Sequence, residues 1–217
     1  MIDAAQARST VLIAHDWGAV IAWYFAMRRL RPLDRLIIMN VPHPAVMERV
    51  IRTPRQLLRS WYVLFFQIPR VPEWVMGLDH ARAIGDAFRN MAVNKQRFPD
   101  AVIDVYRDNA ATPGALAAMV NYYRALVRGG GADRQRRLGY PPIETPTLMI
   151  WGERDAALAK QTTYGTDAYV RDLTLRYLPD VSHWVQQEAP TVVNAMVAAW
   201  LTGQAVPEAG AVTVAAA

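Results

Sequence analysis

The 217 residues predict an α/β protein, with parallel strands flanked by helices and one long helical insertion. Two observations carry this. Short apolar runs of strand length recur along the chain and turn abruptly into helical spacing or an acidic loop. Between the second and third of these runs lie about a hundred residues, too many for a simple crossover.

The first run is Val11-Leu12-Ile13, apolar and with two β-branched residues, as suits a buried parallel strand. After it come Ala14, His15, Asp16, Trp17 and Gly18, and then Ala-Val-Ile-Ala-Trp-Tyr-Phe-Ala-Met at helical spacing. The small residues flanking Asp16 let the backbone turn sharply and push its side chain out above the sheet. Aspartate is also a favoured helix N-cap, so this junction alone does not prove chemistry. Residues 35–41 form the second strand. The third run, from Thr147, ends in Trp151-Gly152-Glu153-Arg154-Asp155. The fourth places Leu173, Leu175 and Tyr177 on one face and leads to a loop bearing His183, followed by a helix over about 190–201. Asp16, Asp155 and His183 thus each stand just past a strand end, where open α/β sheets place their sites.

Composition suits a globular core with an insertion: 53% hydrophobic, 20% charged and without cysteine, which excludes disulfides and thiol catalysis. No run of about 18 apolar residues exists, so no membrane span is expected, and a cytoplasmic location is the expectation. The net charge is +5. Its densest basic run, Arg124 to Arg137 around Gly129–Gly131, lacks interleaved stacking aromatics and a following Lys-Ser/Thr. It reads as a solvated, flexible loop, and no nucleic-acid partner is expected. Of the four histidines, His15 reads as packed and hydrogen-bonded, His43 lies in Val-Pro-His-Pro, and His80 falls on a helix of the insertion. None pairs at ligand spacing, so neither a metal nor a cofactor is expected.

Four segments together carry a specific resemblance: His-Asp-Trp-Gly-Ala (15–19), Asn-Val-Pro-His-Pro (40–44), Trp-Gly-Glu-Arg-Asp (151–155) and Ser-His-Trp-Val-Gln-Gln-Glu-Ala-Pro (182–190). Over residues 9–202 the chain resembles the epoxide hydrolase branch of the α/β-hydrolase superfamily, with haloalkane dehalogenases as near relatives. The resemblance implies a core from 1–42 and 141–202 and a helical cap over 43–140; the tail, 203–217, is low in complexity and is expected to be disordered. It also implies Asp16 as nucleophile and His183 with Asp155 as the water-activating pair. Trp-Tyr-Val-Leu-Phe-Phe-Gln-Ile-Pro (61–69) supplies Tyr62 and Asn-Tyr-Tyr-Arg (121–124) supplies Tyr123, the cap phenols that in this family donate to the epoxide oxygen. The Trp17 backbone N–H is the expected oxyanion donor, and Trp17, Phe66 and Trp184 suggest a pocket for a small apolar epoxide.

Residue chemistry agrees. A carboxylate attacking an acyl carbon would form a high-energy anhydride, whereas at a strained sp³ carbon it forms an ordinary ester. The departing epoxide oxygen needs a proton, and tyrosine, with a reference pKa of about 10, holds one at neutral pH. A haloalkane dehalogenase is the rival, sharing Asp16, Trp17 and His183 but dispensing with phenols. The family's upstream His-Gly-x-Pro oxyanion turn is not among the residues before Thr10. The expectation is therefore a partial fold lacking its N-terminal strands, and a catalytically impaired, truncated remnant is the third reading.

Overall fold

The computed structural model describes residues 2–212. They divide into two compact units, 2–52 with 140–212, and 53–139.

The first unit opens with α1 (Ile2–Ala5), β1 (Val11–His15), α2 (Asp16–Met27), β2 (Arg35–Met39) and α3 (Pro44–Val50). The second contains α4 (Pro54–Arg59), α5 (Trp61–Phe65), α6 (Val71–Met91), α7 (Asp100–Ala111), α8 (Ala115–Val127) and α9 (Gly131–Leu138). The chain then returns to the first unit with β3 (Thr147–Gly152), β4 (Leu173–Leu178), α10 (Val185–Glu188) and α11 (Pro190–Leu201).

The four strands form one parallel sheet in the order β1-β2-β3-β4. Its central strands, Arg-Leu-Ile-Ile-Met and Thr-Leu-Met-Ile-Trp-Gly, are nearly continuous apolar runs because both their faces are covered. Alternate side chains go to opposite faces. Leu36 and Ile38 pack with Ala19, Ala22, Trp23 and Ala26 of α2. Ile37, Met39, Leu148 and Ile150 pack with Val185 of α10 and Val193, Met196 and Trp200 of α11. Each fully buried Leu or Ile contributes roughly 1.5–3 kcal/mol. β1 is bonded on one side only, and its Val11 and Ile13 are exposed.

Three expectations need correction. The helical insertion begins at Thr53, about ten residues later than expected, because α3 belongs to the sheet unit: Ala45, Val46 and His43 are buried there. Residues 203–212 are ordered rather than disordered. Val206 sits in the cluster under α11, and the Arg176 guanidinium donates to the carbonyls of Val206 and Pro207. The rest of the expected tail, 213–217, lies outside the described residues. Finally, the basic run after Arg124 is helical. Gly130, at φ 68°, starts α9, and Arg124 is pinned by Glu73 and the carbonyls of Phe66 and Ile68.

Within the helical unit, α6 packs on α7 closely enough that a Cβ at Gly85 would lie 2.6 Å from Ile103. Phe88 stacks on Tyr106 with centroids 4.0 Å apart. His80, expected on a helix, falls where α6 is interrupted: Asp79, His80 and Ala81 have left-handed backbone. Its Nε2 contacts Asp108 at 2.6 Å.

Candidate active site

The strand ends of the sheet unit bring Asp16, His183 and Asp155 together. Asp16 occupies the β1–α2 junction at φ 50°, a left-handed conformation that aspartate tolerates better than most residues. Holding a non-glycine residue there costs of order 1–3 kcal/mol. The turn lifts the carboxylate off the strand, and its side chain is half exposed. The Trp17 backbone N–H hydrogen-bonds to it.

His183 Nε2 lies 3.7 Å from Asp16 Oδ1, and His183 Nδ1 lies 2.7 Å from Asp155 Oδ2. The imidazole thus bridges two carboxylates, one half exposed and one buried. Asp155 is saturated with donors: Oδ1 accepts the backbone N–H groups of Ala157 and Leu158, both at 2.8 Å. Its Oδ2 accepts the side-chain amide of Asn40 at 2.9 Å. Such a carboxylate has little freedom to rotate away from the ring.

These contacts set the charges. Burial raises the Asp16 carboxyl, but the hydrogen bond and charge of His183 outweigh it, leaving Asp16 below the usual carboxylate range. For His183, burial pulls the imidazole down while Asp155 and Asp16 together push it up to about 9. His15 is pulled down to about 4 by burial and by the neighbouring His183. It is therefore neutral near pH 7. Its Nε2–H is the only ring group able to meet the His183 carbonyl, 2.9 Å away, so that tautomer follows from the contact.

His15 packs as expected, its ring 4.6 Å from that of His183, and it also ties the His183 loop to the Asp16 turn. Trp184 sets its ring edge-on to His183 at 4.9 Å. The loop is anchored from behind as well: Glu188 accepts from the backbone N–H and hydroxyl of Ser182.

Two positioning residues escaped the sequence reading. Asn40, at the end of β2, is fully buried at φ 47°. It donates to Asp155 and accepts the Gly152 N–H at 2.8 Å. Gly152 matters because the His183 loop crosses directly over it: a Cβ there would lie 2.6 Å from the Val181 carbonyl and closer still to that of Ser182. Both residues stand inside recognisable motifs, but their roles depend on contacts across about 30 to 115 residues of chain.

In the helical unit, Tyr62, Phe66 and Tyr123 form one aromatic group. The two tyrosine rings meet edge-on with centroids 5.7 Å apart, and Phe66 lies 4.7 Å from Tyr123. Among the described residues there is no group of three or more His, Asp or Glu side chains that could hold a metal. No helix among them is long and apolar enough to cross a membrane.

Known proteins match this architecture. The profile of the Alpha/beta hydrolase family matches residues 2–196. Epoxide hydrolase 4 of Mus musculus is 34% identical over 207 residues, covering 93% of this chain and 56% of that protein. AB hydrolase superfamily protein YfhM of Bacillus subtilis is 34% identical over 196 residues, covering 89% of this chain and 66% of its own length. The chain thus spans roughly half to two thirds of these curated relatives. Among solved structures, a Bacillus megaterium epoxide hydrolase mutant complexed with its naphthyloxy-propane-1,2-diol product superposes with a TM-score of 0.82. It is 29% identical, and the match covers 93% of this chain and 72% of that one.

Proposed function

Since the chain belongs to the alpha/beta hydrolase family, we propose that it hydrolyses epoxides to vicinal diols through a covalent ester on Asp16. The carrying observation is the His183 imidazole, 3.7 Å from the Asp16 carboxylate on one side and 2.7 Å from Asp155 on the other. The similarity to epoxide hydrolases supports the substrate class.

In the first step an Asp16 oxygen attacks an epoxide carbon, the ring C–O bond breaks, and the freed oxygen takes a proton. We assign that proton to the phenols of Tyr62 and Tyr123, on their motif match and on the chemistry of the leaving group. In the second step His183 removes a proton from water. The oxygen attacks the Asp16 ester carbonyl, and the Trp17 N–H meets the oxyanion. Collapse releases the diol, whose departing oxygen is protonated by His183, and the proton left on the Asp16 acid returns through solvent to the phenolate, restoring both groups. Asp155 holds the imidazole in orientation and stabilises its cation. No cofactor is needed.

The charge arrangement orders these steps. While Asp16 is ionised, two carboxylates keep His183 protonated. Ester formation neutralises Asp16, which lowers the affinity of His183 for its proton, so a base emerges when there is an ester to hydrolyse. Trp17, Trp184 and Phe66 favour a small apolar or aryl epoxide. The Bacillus megaterium relative, complexed with a naphthyloxy diol product, is in keeping with that.

Isotope labelling and two sets of variants test the reading. A single turnover in heavy-oxygen water should label the Asp16 carboxylate before the diol. His183→Gln should accumulate an adduct heavier by the mass of the substrate. Label entering the diol directly would refute the covalent step. Full activity of a Tyr62→Phe, Tyr123→Phe double variant, with turnover of haloalkanes, would favour the dehalogenase reading instead.

A further inference from the structure

We propose that the segment Thr53–Leu78 of the helical unit docks on an anionic lipid surface. Its inward side is already occupied. Gln56 is buried and donates to Ser60, while Tyr62 and Phe66 pack with Tyr123. Its exposed side chains are nevertheless largely apolar. Leu58 is 77% exposed, Trp61 64%, Leu64 71% and Trp74 67%, with Leu57, Ile68, Val71 and Leu78 exposed as well. Elsewhere in this unit exposed apolar residues are scattered singly, which is ordinary. A concentration of this kind, with two tryptophans, marks an interaction surface.

Charge selects the partner. From Thr53 to Pro72 the chain carries Arg55, Arg59 and Arg70 and no acidic residue. The next acid, Glu73, is engaged by Arg124. A second copy meeting this face with its own would set arginine against arginine. An anionic bilayer supplies both complements, acyl chains for Leu and Trp and headgroups for Arg, whose long stem can bridge the two. No helix here is long and apolar enough to cross a bilayer, so the segment would lie in the interface. This inference does not rest on the epoxide reading.

The test uses the whole chain and vesicles of phosphatidylcholine, with or without phosphatidylglycerol. Co-sedimentation should appear only with the anionic vesicles and weaken as salt is raised. Tryptophan emission should shift to the blue on binding. Arg55→Gln and Arg70→Gln should each weaken binding roughly fivefold, and Leu58→Gln with Trp61→Gln should abolish it. These exposed positions should leave the thermal midpoint unchanged; if the apolar variant unfolds, the arginine variants still decide the matter. Equal binding to both vesicles, or none, would overturn the proposal. So would self-association that these variants abolish in the absence of lipid.

Discussion

The Asn40 amide donates to Asp155 Oδ2, the same carboxylate oxygen that faces His183 Nδ1. One end of β2 therefore steers the acid at the end of β3, and through it the imidazole. The Asn40 carbonyl oxygen is spent on the Gly152 N–H, so neither end of the amide is free to flip.

Replacing Asn40 separates its two duties. Asn40→Gly suits the left-handed backbone but leaves Asp155 short of a donor, and should slow turnover by on the order of tenfold while costing about 1–3 kcal/mol of stability. Asn40→Ala adds backbone strain and should be the less stable of the two. Steady-state kinetics beside urea unfolding would check this, and a kcat unchanged in both variants would deny Asn40 any positioning role.

Gly152→Ala should be harsher than its size suggests. The new methyl would press on the carbonyls of Val181 and Ser182, both of them backbone, so no side chain can swing aside. We expect a loss of about 1–3 kcal/mol or more, with activity falling further than stability because His183 follows directly. Thermal unfolding and kcat would be compared.

Stability should fall on both sides of neutrality. His15 and His43 are held near 4, in both cases by burial above all, against about 6.5 when unfolded. The unfolded chain therefore binds more protons below 6.5, and stability drops as pH falls from 6.5 towards 4, by on the order of 3 kcal/mol for the fully buried His43. His183 works the other way. Its contribution is complete below 6.5 and disappears as pH rises through about 9. Urea unfolding across pH 4–10 should trace a maximum near neutrality, and a flat acid limb would contradict the buried neutral histidines.

Neutralising Asp16 should release the proton from His183. In Asp16→Asn one of the two carboxylates that raise the imidazole is gone, so its titration, followed by ring-carbon NMR, should move below the value near 9 of the parent chain. An unmoved titration would break the proposed ordering of alkylation and hydrolysis.

The parallel sheet was legible because its strands are written locally. Leu36–Met39 and Leu148–Ile150 are continuous apolar runs, and a chain buried on both faces has no other pattern to show. Asp16, Asp155 and His183 stood out for a related reason: each follows a strand end, and a turn at that point sends its side chain toward a common rim. The long helical insertion was visible from length and periodicity. Its start was not, because α3 is apolar enough to belong to either unit and only the burial of Ala45 and Val46 assigns it.

What the sequence by itself determined, then, is local: strand, turn, helix, and the three ionisable side chains at the turns. The tertiary structure decided what those side chains experience. His15 reaches the His183 carbonyl across 168 residues, Asn40 reaches Asp155 across 115, and Gly152 lies under the loop that carries His183. Such contacts leave no period or spacing in the chain, because each partner satisfies only its own local rule. The ordering of residues 203–212 is of the same kind: a low-complexity segment becomes structure when Val206 finds a hydrophobic seat and the Arg176 guanidinium needs carbonyls.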